Sequence, residues 1–111
     1  MPEVEIRADV RTILAELRRG LETIYGDRLV RLVLFGSHAR GEAREDSDID
    51  VMVVLRGPVD FWEEMKRCSE FRAAVCLEHD VCISCLYMPE SRFQGEQSPL
   101  LRNVHRDGVA L

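Results

Sequence analysis

Apolar residues recur at intervals of three and four along the first part of the chain. They form one face of an amphipathic helix between Ile6 and Tyr25, and charged residues occupy the opposite face. The apolar positions are Ile6, Val10, Ile13, Leu14, Leu17, Leu21 and Ile24. The pattern therefore predicts a first helix that packs against a core and ends at Gly26-Asp27.

Three apolar runs farther along the chain are too short for helices and predict strands. Gly36 ends the first run and Met88-Pro89 ends the third, because these residue types interrupt regular structure. The predicted strands are Leu29–Phe35, Asp48–Leu55 and Asp80–Tyr87. The second run is rich in Val and Ile, so we expect it to enter the core.

The segments between these strands predict helices and one loop. Ser37–Arg40 is expected to form a short helical turn, and Gly41–Asp46 is expected to be a polar loop. Apolar residues at helical spacing then predict a helix from Phe61 to about Leu77, with Pro58 suited to its first turn. Helices and strands thus alternate along the chain.

A last short helix is marked at both ends. Ser98 can cap it, Pro99 suits its first position, and Gly108 ends it. The order of elements is α-β-(short α)-β-α-β-α. That order predicts a single α/β or α+β domain over residues 1–111, with a small mixed sheet and flanking helices.

Charge and hydropathy narrow the range of functions. The chain has 15 basic and 20 acidic residues and a formal net charge of −5, which disfavours binding to a long nucleic acid. An acidic enzyme can still bind a nucleotide, because metal ions supply positive charge. No run of about eighteen apolar residues indicates a membrane span, and Met1–Glu5 does not resemble a signal peptide. We therefore expect a cytoplasmic protein without a membrane segment.

The cysteines raise the question of a zinc site. Cys82 and Cys85 have the two-residue spacing of a zinc or redox motif. On the predicted third strand, however, they point to opposite faces, and no second cysteine pair completes a tetrahedral site. Reduced, buried thiols are the favoured interpretation, with zinc as the alternative. The histidines also lack partners at ligand spacing, and they are His38, His79 and His105.

The turn that follows the first predicted strand suits a phosphate group. Gly36 lets the backbone approach a ligand closely, because glycine has no Cβ. The N–H groups that open the next helical turn carry partial positive charge, and Ser37 adds a hydroxyl donor. The alternative is an ordinary strand-to-helix turn with a capping serine.

Two carboxylates, Asp48 and Asp50, stand one residue apart at the start of the second predicted strand. Alternate strand residues face the same side, with Cα atoms roughly 6.5–7 Å apart. Their charges repel unless a cation lies between them, and Mg²⁺ prefers such oxygen ligands. The alternative is a solvated strand end, but Ile49 and Val51 continue into a strand that enters the core.

Asp80 is the candidate for a third carboxylate. It is predicted to begin the third strand, which would bring it near Asp48 and Asp50 if the two strands are neighbours. Three carboxylates could hold two ions, and Asp80 could also orient or deprotonate an acceptor hydroxyl. The spacing alone leaves its role open. Arg40 is a candidate phosphate contact or, alternatively, fixes the Gly41–Asp46 loop by ion pairing.

The complete motif resembles the signature of the polymerase-beta-like nucleotidyltransferases. Gly36-Ser37-His38-Ala39-Arg40-Gly41, followed by Ser47-Asp48-Ile49-Asp50, is similar to Gly-Ser-x-Ala-Arg-Gly and Ser-Asp-x-Asp in that superfamily. Within the superfamily, the chain resembles the minimal nucleotidyltransferases (MNT), the antitoxin half of HEPN/MNT pairs. The resemblance implies the polymerase-beta-like nucleotidyltransferase fold.

The resemblance also implies roles for individual residues. Asp48 and Asp50 are implied as metal ligands, Asp80 as the third carboxylate, and Gly36-Ser37 as triphosphate contacts. The implied reaction is Mg²⁺-dependent transfer of AMP from ATP to a tyrosine of a cognate HEPN toxin, an RNase, with two ions expected. Two alternatives remain. The chain could neutralise the toxin by masking it, or it could modify a small molecule, although no second domain is expected to bind one.

Overall fold

The computed structural model describes residues 6–44 and 46–111, so the expectations for Met1–Glu5 and for Glu45 in the polar loop lie outside the described residues. The described strands are β1 (Leu29–Phe35), β2 (Ile49–Leu55), β3 (Ile83–Pro89) and β4 (Val109–Ala110). They form one sheet in the order β3-β2-β1-β4. Strand β1 is antiparallel to β2 and β4, and β2 is parallel to β3. The predicted mixed sheet is thereby confirmed.

Helices cover both faces of this sheet. They are α1 (Ala8–Tyr25), α2 (Ser37–Arg40), α3 (Phe61–His79), α4 (Glu90–Gly95) and α5 (Pro99–Asp107). One hydrophobic cluster joins α1 and α3 to one face, and a second cluster joins α4 and α5 to the other. No helix among the described residues has the length and apolar character needed to cross a membrane.

Strand β2 is buried on both sides, which explains its continuous apolar sequence. Val51 and Val53 pack in the cluster of α1 and α3, whereas Met52 and Val54 pack in the cluster of α4 and α5. Asp50 follows the alternation of Met52 and Val54 and therefore lies on the α4 and α5 face. Asp50 thus places a carboxylate at the rim of a buried strand.

Local signals set most helix ends where the sequence predicts them. Gly26, with φ +54°, ends α1, and Oγ of Ser98 accepts the backbone N–H of Leu101 (3.3 Å) at the start of α5. The carboxylate of Asp60 accepts the N–H of Glu63 (3.2 Å) and caps α3. The predicted limits of β1 and α2 are confirmed without change.

The start of the third strand differs from the prediction. Helix α3 continues to His79 and β3 begins at Ile83, so the prediction that Asp80 begins this strand is wrong. Asp80 instead adopts a left-handed conformation (φ 51°), and its N–H bonds the carbonyl of Cys76 and closes the helix. Aspartate tolerates this conformation better than most residues, which is why it can serve as a helix end.

Four smaller differences from the prediction concern β2, β3, α4 and β4. Strand β2 begins at Ile49, one residue later than predicted, and β3 continues through Pro89 before α4 begins. The sequence pattern predicts neither α4 nor β4. Strand β4 has only two residues, which pair with Val33 and Leu34 of β1. A strand of two residues is not stable alone, so β4 depends on its pairing with the edge of β1.

Candidate active site

The turn between β1 and α2 lies directly against Asp50. Gly36 has φ +75° and ψ −154°, and a Cβ at this position would overlap Oδ2 of Asp50. Glycine alone combines this backbone conformation with such a close approach. Gly36 occupies the cap position of α2 and no side chain caps the helix, so the alternative of a capping Ser37 is wrong. The turn therefore requires a glycine, because the Asp50 carboxylate occupies the space that a Cβ would need.

Asp48 and Asp50 differ in exposure, although both lie at the start of β2. Asp50 pairs with Ser84 of β3 and is half-buried, while Asp48 is exposed just before the strand. Burial raises the pKa of Asp50, and the negative charge of Asp48 raises it further. The positive charges of His38 and Arg40 act in the opposite direction. The two carboxylates are therefore close enough to repel each other.

This carboxylate pair fits a hard divalent cation. Carboxylate oxygens are preferred ligands of Mg²⁺, and a bound cation would remove the repulsion that raises the pKa of Asp50. The missing Cβ of Gly36 also matters, because any larger residue would displace the Asp50 carboxylate. Asp48 and Asp50 are the residues that could hold such an ion.

A hydrogen-bonded turn precedes Asp48 and positions it. The backbone N–H of Arg44 donates to Oγ of Ser47 (2.7 Å), and the Ser47 N–H donates to the Arg44 carbonyl (3.1 Å). His38 is buried in α2, and its Nε2 lies 3.3 Å from the Ser47 carbonyl. The sequence shows His38 without a partner, because only the folded loop brings Ser47 to it. His38 therefore contacts the turn that precedes Asp48, and the sequence pattern does not reveal this contact.

Arg40 lies at the exposed end of α2. Its Nε donates to Oε2 of Glu42 (3.1 Å), so the interpretation that Arg40 ion-pairs within the polar loop agrees with the structure. Its positive charge also lowers the pKa of Asp50, which indicates that Arg40 acts electrostatically on the carboxylate site. Its role as a phosphate contact stays a prediction.

The structure does not bring Asp80 together with the other two carboxylates. Asp80 lines a cavity with Arg44 and Asp46 beyond the end of α3. Within residues 6–44 and 46–111, only one group of three side chains could share a metal ion, and it consists of Glu16, Glu78 and His79. Asp48, Asp50 and Asp80 do not form such a group. The role of Asp80 as a third metal ligand stays a prediction.

Ser84 and Cys82 occupy the positions next to the two aspartates. Ser84 lies opposite Asp50 in the parallel pairing. The N–H of Ile49 donates to the Cys82 carbonyl (2.9 Å). This hydrogen bond extends the parallel pairing by one residue and places Cys82 beside Asp48. The charge of Asp48 raises the pKa of the Cys82 thiol, which favours its protonated form. The sequence pattern does not place Ser84 or Cys82 beside the aspartates, because their placement depends on where β3 begins.

The other candidate ligands have partners of their own. Nε2 of His79 lies 2.8 Å from Oε2 of Glu16, between α3 and α1. Nε2 of His105 lies 2.9 Å from the carbonyl of Phe93. The four cysteines are free, and burial raises the pKa of the Cys85 thiol to about 12. A thiol that keeps its proton is a poor zinc ligand, because zinc binds the thiolate.

The chain is similar in sequence to known proteins. The family described as nucleotidyltransferase domain matches residues 14–97 of the chain. A protein of Methanocaldococcus jannaschii with the provisional name protein adenylyltransferase MJ0604 is 32% identical over 99 residues. That match covers 88% of this chain and 93% of the relative. The matched region contains every residue of the Gly36–Asp50 motif.

Solved structures have the same fold. A toxin–antitoxin complex with AMP-PNP contains a chain with a TM-score of 0.64 and 19% identity, covering 86% of this chain and 69% of that chain. The complex of tri-AMPylated Shewanella oneidensis HEPN toxin with an MNT antitoxin contains a chain with a TM-score of 0.51 and 16% identity. That match covers 88% of this chain and 70% of that chain. At these identities the likeness establishes the fold.

Proposed function

Because the chain belongs to the nucleotidyltransferase domain family, we propose that it transfers AMP from ATP to a tyrosine hydroxyl of a HEPN toxin and so acts as that toxin's antitoxin. The observation that carries the proposal is the contact between the Gly36 turn and the Asp50 carboxylate, with exposed Asp48 beside it. A nucleotide and a cation need those two features side by side. The reaction would take place in the cytoplasm, where ATP is available.

The residues present fit a divalent cation, and Mg²⁺ is the proposed ion, with two ions in the complete site. Asp48 and Asp50 would hold it, and Asp80 is the proposed third ligand. When bound, the metal would neutralise phosphate charge and favour deprotonation of the acceptor hydroxyl. An Asp80→Asn variant tests the third position, because it should reduce transfer only if Asp80 reaches the ions in the complete complex.

The chain's own residues bind and orient the substrate in this proposal. The Gly36 backbone and Ser37 contact the triphosphate, and Arg40 supplies positive charge near it. His38 holds the Ser47 carbonyl and so keeps Asp48 in place. Orientation of this kind is the main source of rate in phosphoryl-type transfer.

The proposed reaction conserves atoms and charge in one displacement at the α-phosphorus. The tyrosine oxygen forms a bond to that phosphorus, and the bond between the α- and β-phosphates breaks. Pyrophosphate leaves with the electron pair, and the hydroxyl proton passes to a carboxylate or to water. The product is a tyrosine that carries AMP through a phosphodiester bond.

Two observations on related proteins support the acceptor. The relative MJ0604 has a provisional name that describes transfer to a protein. A structure with the same fold contains a HEPN toxin that carries three AMP groups, in complex with an MNT antitoxin. A HEPN protein is therefore the proposed acceptor for this chain, and a tyrosine is the acceptor residue that the sequence resemblance implies.

Mass spectrometry of the partner tests the proposal. A purified candidate HEPN protein from the same organism is incubated with the chain, ATP and Mg²⁺, and we expect it to gain the mass of one AMP or a small multiple. Asp48→Asn should abolish the gain, whereas Asp46→Asn, in the exposed loop, should not. If wild type and Asp48→Asn silence the toxin equally without a mass change, the chain neutralises it by masking and the proposal is wrong.

A further inference from the structure

A groove of about 340 Å³ follows the outer edge of β3 and leads to the carboxylate site. Helix α3 forms one wall and β3 forms the other. Phe61 and Tyr87 line the groove at one end, and Asp48 and Cys82 line it at the other. The groove therefore connects an apolar surface to one of the two aspartates proposed to act in catalysis.

Among the described residues, no strand pairs with the outer edge of β3. The carbonyl of Cys82 accepts a hydrogen bond from β2, so the next residue, Ile83, has its N–H and carbonyl on the outer side. That outer side is occupied at Ile83, where Arg72 donates to the carbonyl (3.0 Å) and the N–H lies 3.4 Å from Sγ of Cys76. The alternation places the backbone groups of residues 85 and 87 on the same outer side, along the groove.

The wall opposite this edge is apolar and partly exposed. The rings of Phe61 and Tyr87 pack edge to face, with centroids 6.1 Å apart. Phe61 is 38% exposed and Met65 is 37% exposed, although both are large hydrophobic residues. Trp62, beside Phe61, is 72% exposed and extends the apolar surface. An apolar surface next to a free strand edge is suited to a peptide segment.

The charges of the groove favour an uncharged occupant. Asp48 lies at the catalytic end, and Arg72 is the cation in the lining. The Arg72 guanidinium already donates to the Ile83 carbonyl. The remaining described residues that line the groove are uncharged. A nucleic acid is disfavoured by the net charge of −5.

We propose that an extended, largely uncharged segment of the acceptor protein lies in this groove as an added strand beside β3. Its backbone pairs with residues 85 and 87, its apolar side chains contact Phe61 and Met65, and its hydroxyl residue reaches Asp48. A segment of about five residues covers the distance from Tyr87 to Cys82 at roughly 3.3 Å per residue, and it pairs with β3 only at residues 85 and 87, because Arg72 and Cys76 occupy the outer side of Ile83. This inference rests on the proposed function, because it identifies where the protein substrate of that site docks.

Variants in the groove test this docking site by direct binding. The Kd for the candidate HEPN protein is measured by calorimetry for wild type, Phe61→Ser and Met65→Lys, and we expect at least a tenfold rise in both variants. Leu77→Ser is the matched control, because Leu77 lies on the same helix, is 86% exposed and does not line the groove. The Kd of Leu77→Ser should equal that of wild type. Circular dichroism and the affinity for Mg²⁺-ATP, both expected to be unchanged, show that each variant is folded.

The outcomes separate the docking site from the reaction. An unchanged Kd in a folded groove variant overturns the docking site, whether or not wild type transfers AMP. Weakened binding without any AMP transfer by wild type supports the docking site and contradicts the proposed reaction. If wild type forms a dimer that Met65→Lys dissociates while the Kd for the HEPN protein is unchanged, the groove binds a second copy of this chain and the proposal is wrong.

Discussion

At the scale of single residues, the contact between Gly36 and Asp50 constrains the geometry of the site. Gly36 has positive φ, and its missing Cβ leaves space that the Asp50 carboxylate occupies. Asp50 is also the carboxylate whose pKa is raised by burial and by Asp48. Both the shape and the charge of the site therefore depend on this one pair.

A Gly36→Ala substitution should lower stability and disrupt the metal site. The positive φ alone makes alanine unfavourable by about 1 kcal/mol, and the overlap with Asp50 adds to that cost. Gly57→Ala is the matched control, because Gly57 also has positive φ (83°) but has no atom within 4 Å of the added Cβ. Urea denaturation should show the larger loss for Gly36→Ala. Equal losses in the two variants would mean that the contact with Asp50 contributes nothing.

An Asp50→Asn substitution should stabilise the metal-free protein at neutral pH while abolishing AMP transfer. Because the pKa of Asp50 is raised in the folded state, ionisation of its carboxylate destabilises the fold above that pKa. Solvent screening should limit the gain to about 1 kcal/mol or less. The gain should shrink as the pH falls through the folded pKa and disappear below the unfolded pKa, where Asp50 is neutral in both states. Denaturation at a series of pH values measures it, and a gain that is independent of pH would contradict this cause.

At the scale of elements, α1 and α3 pack against each other on one face of the sheet. Glu64 is buried on α3, accepts the Tyr25 hydroxyl of α1 at 2.9 Å, and pairs with Arg67 at 3.0 Å. Nearer the middle of α1, a Cβ at Gly20 would overlap the Phe71 ring of α3. The two helices therefore approach closely where α1 has its smallest residue.

A Gly20→Ala substitution should therefore fail to stabilise α1. In an ordinary helix interior this change contributes about 1 kcal/mol of stability, but here the added Cβ must displace the Phe71 ring. We expect a neutral or destabilising effect in wild type and the full gain in a Phe71→Ala background. A double-mutant cycle with urea denaturation measures the coupling, and the same gain in both backgrounds would show that the ring moves aside without cost.

At the scale of the whole molecule, the site draws its residues from distant parts of the chain. The turn after β1, the start of β2 and the start of β3 meet at one end of the sheet because β1 is antiparallel to β2 while β3 is parallel to it. The whole chain also has a net charge of −5. Cations therefore act on it in two ways, by general screening and at the proposed site.

Mg²⁺ should raise the Tm of the wild-type chain beyond any effect of ionic strength. An ion that binds only the folded state adds about 1.4 kcal/mol of stability at ten times its Kd, which is a Tm rise of several degrees. Na⁺ at the same ionic strength is the control for screening of the net charge. An Asp48→Asn, Asp50→Asn double variant should keep the ionic-strength response and lose the additional rise. Identical responses to the two salts in wild type would contradict the assignment of Asp48 and Asp50.

Local signals in the sequence determined most of the elements. Apolar spacing and end residues predicted α1, β1, α2 and α5, because a helix or strand end depends on residues within a few positions of it. The motif that contains Gly36, Asp48 and Asp50 also predicted the family, since its residues lie close together in the sequence. What is local in the chain could be predicted.

Only the tertiary structure decided which residues stand beside the aspartates. Ser84 and Cys82 occupy those positions, and Asp80 does not, because α3 extends to His79 and delays the start of β3. The partnership of His38 with the Ser47 carbonyl depends on the folded loop in the same way. Strand register brings together residues that are far apart in the chain. It is set by which face of each strand is buried, and short-range sequence patterns do not contain that information.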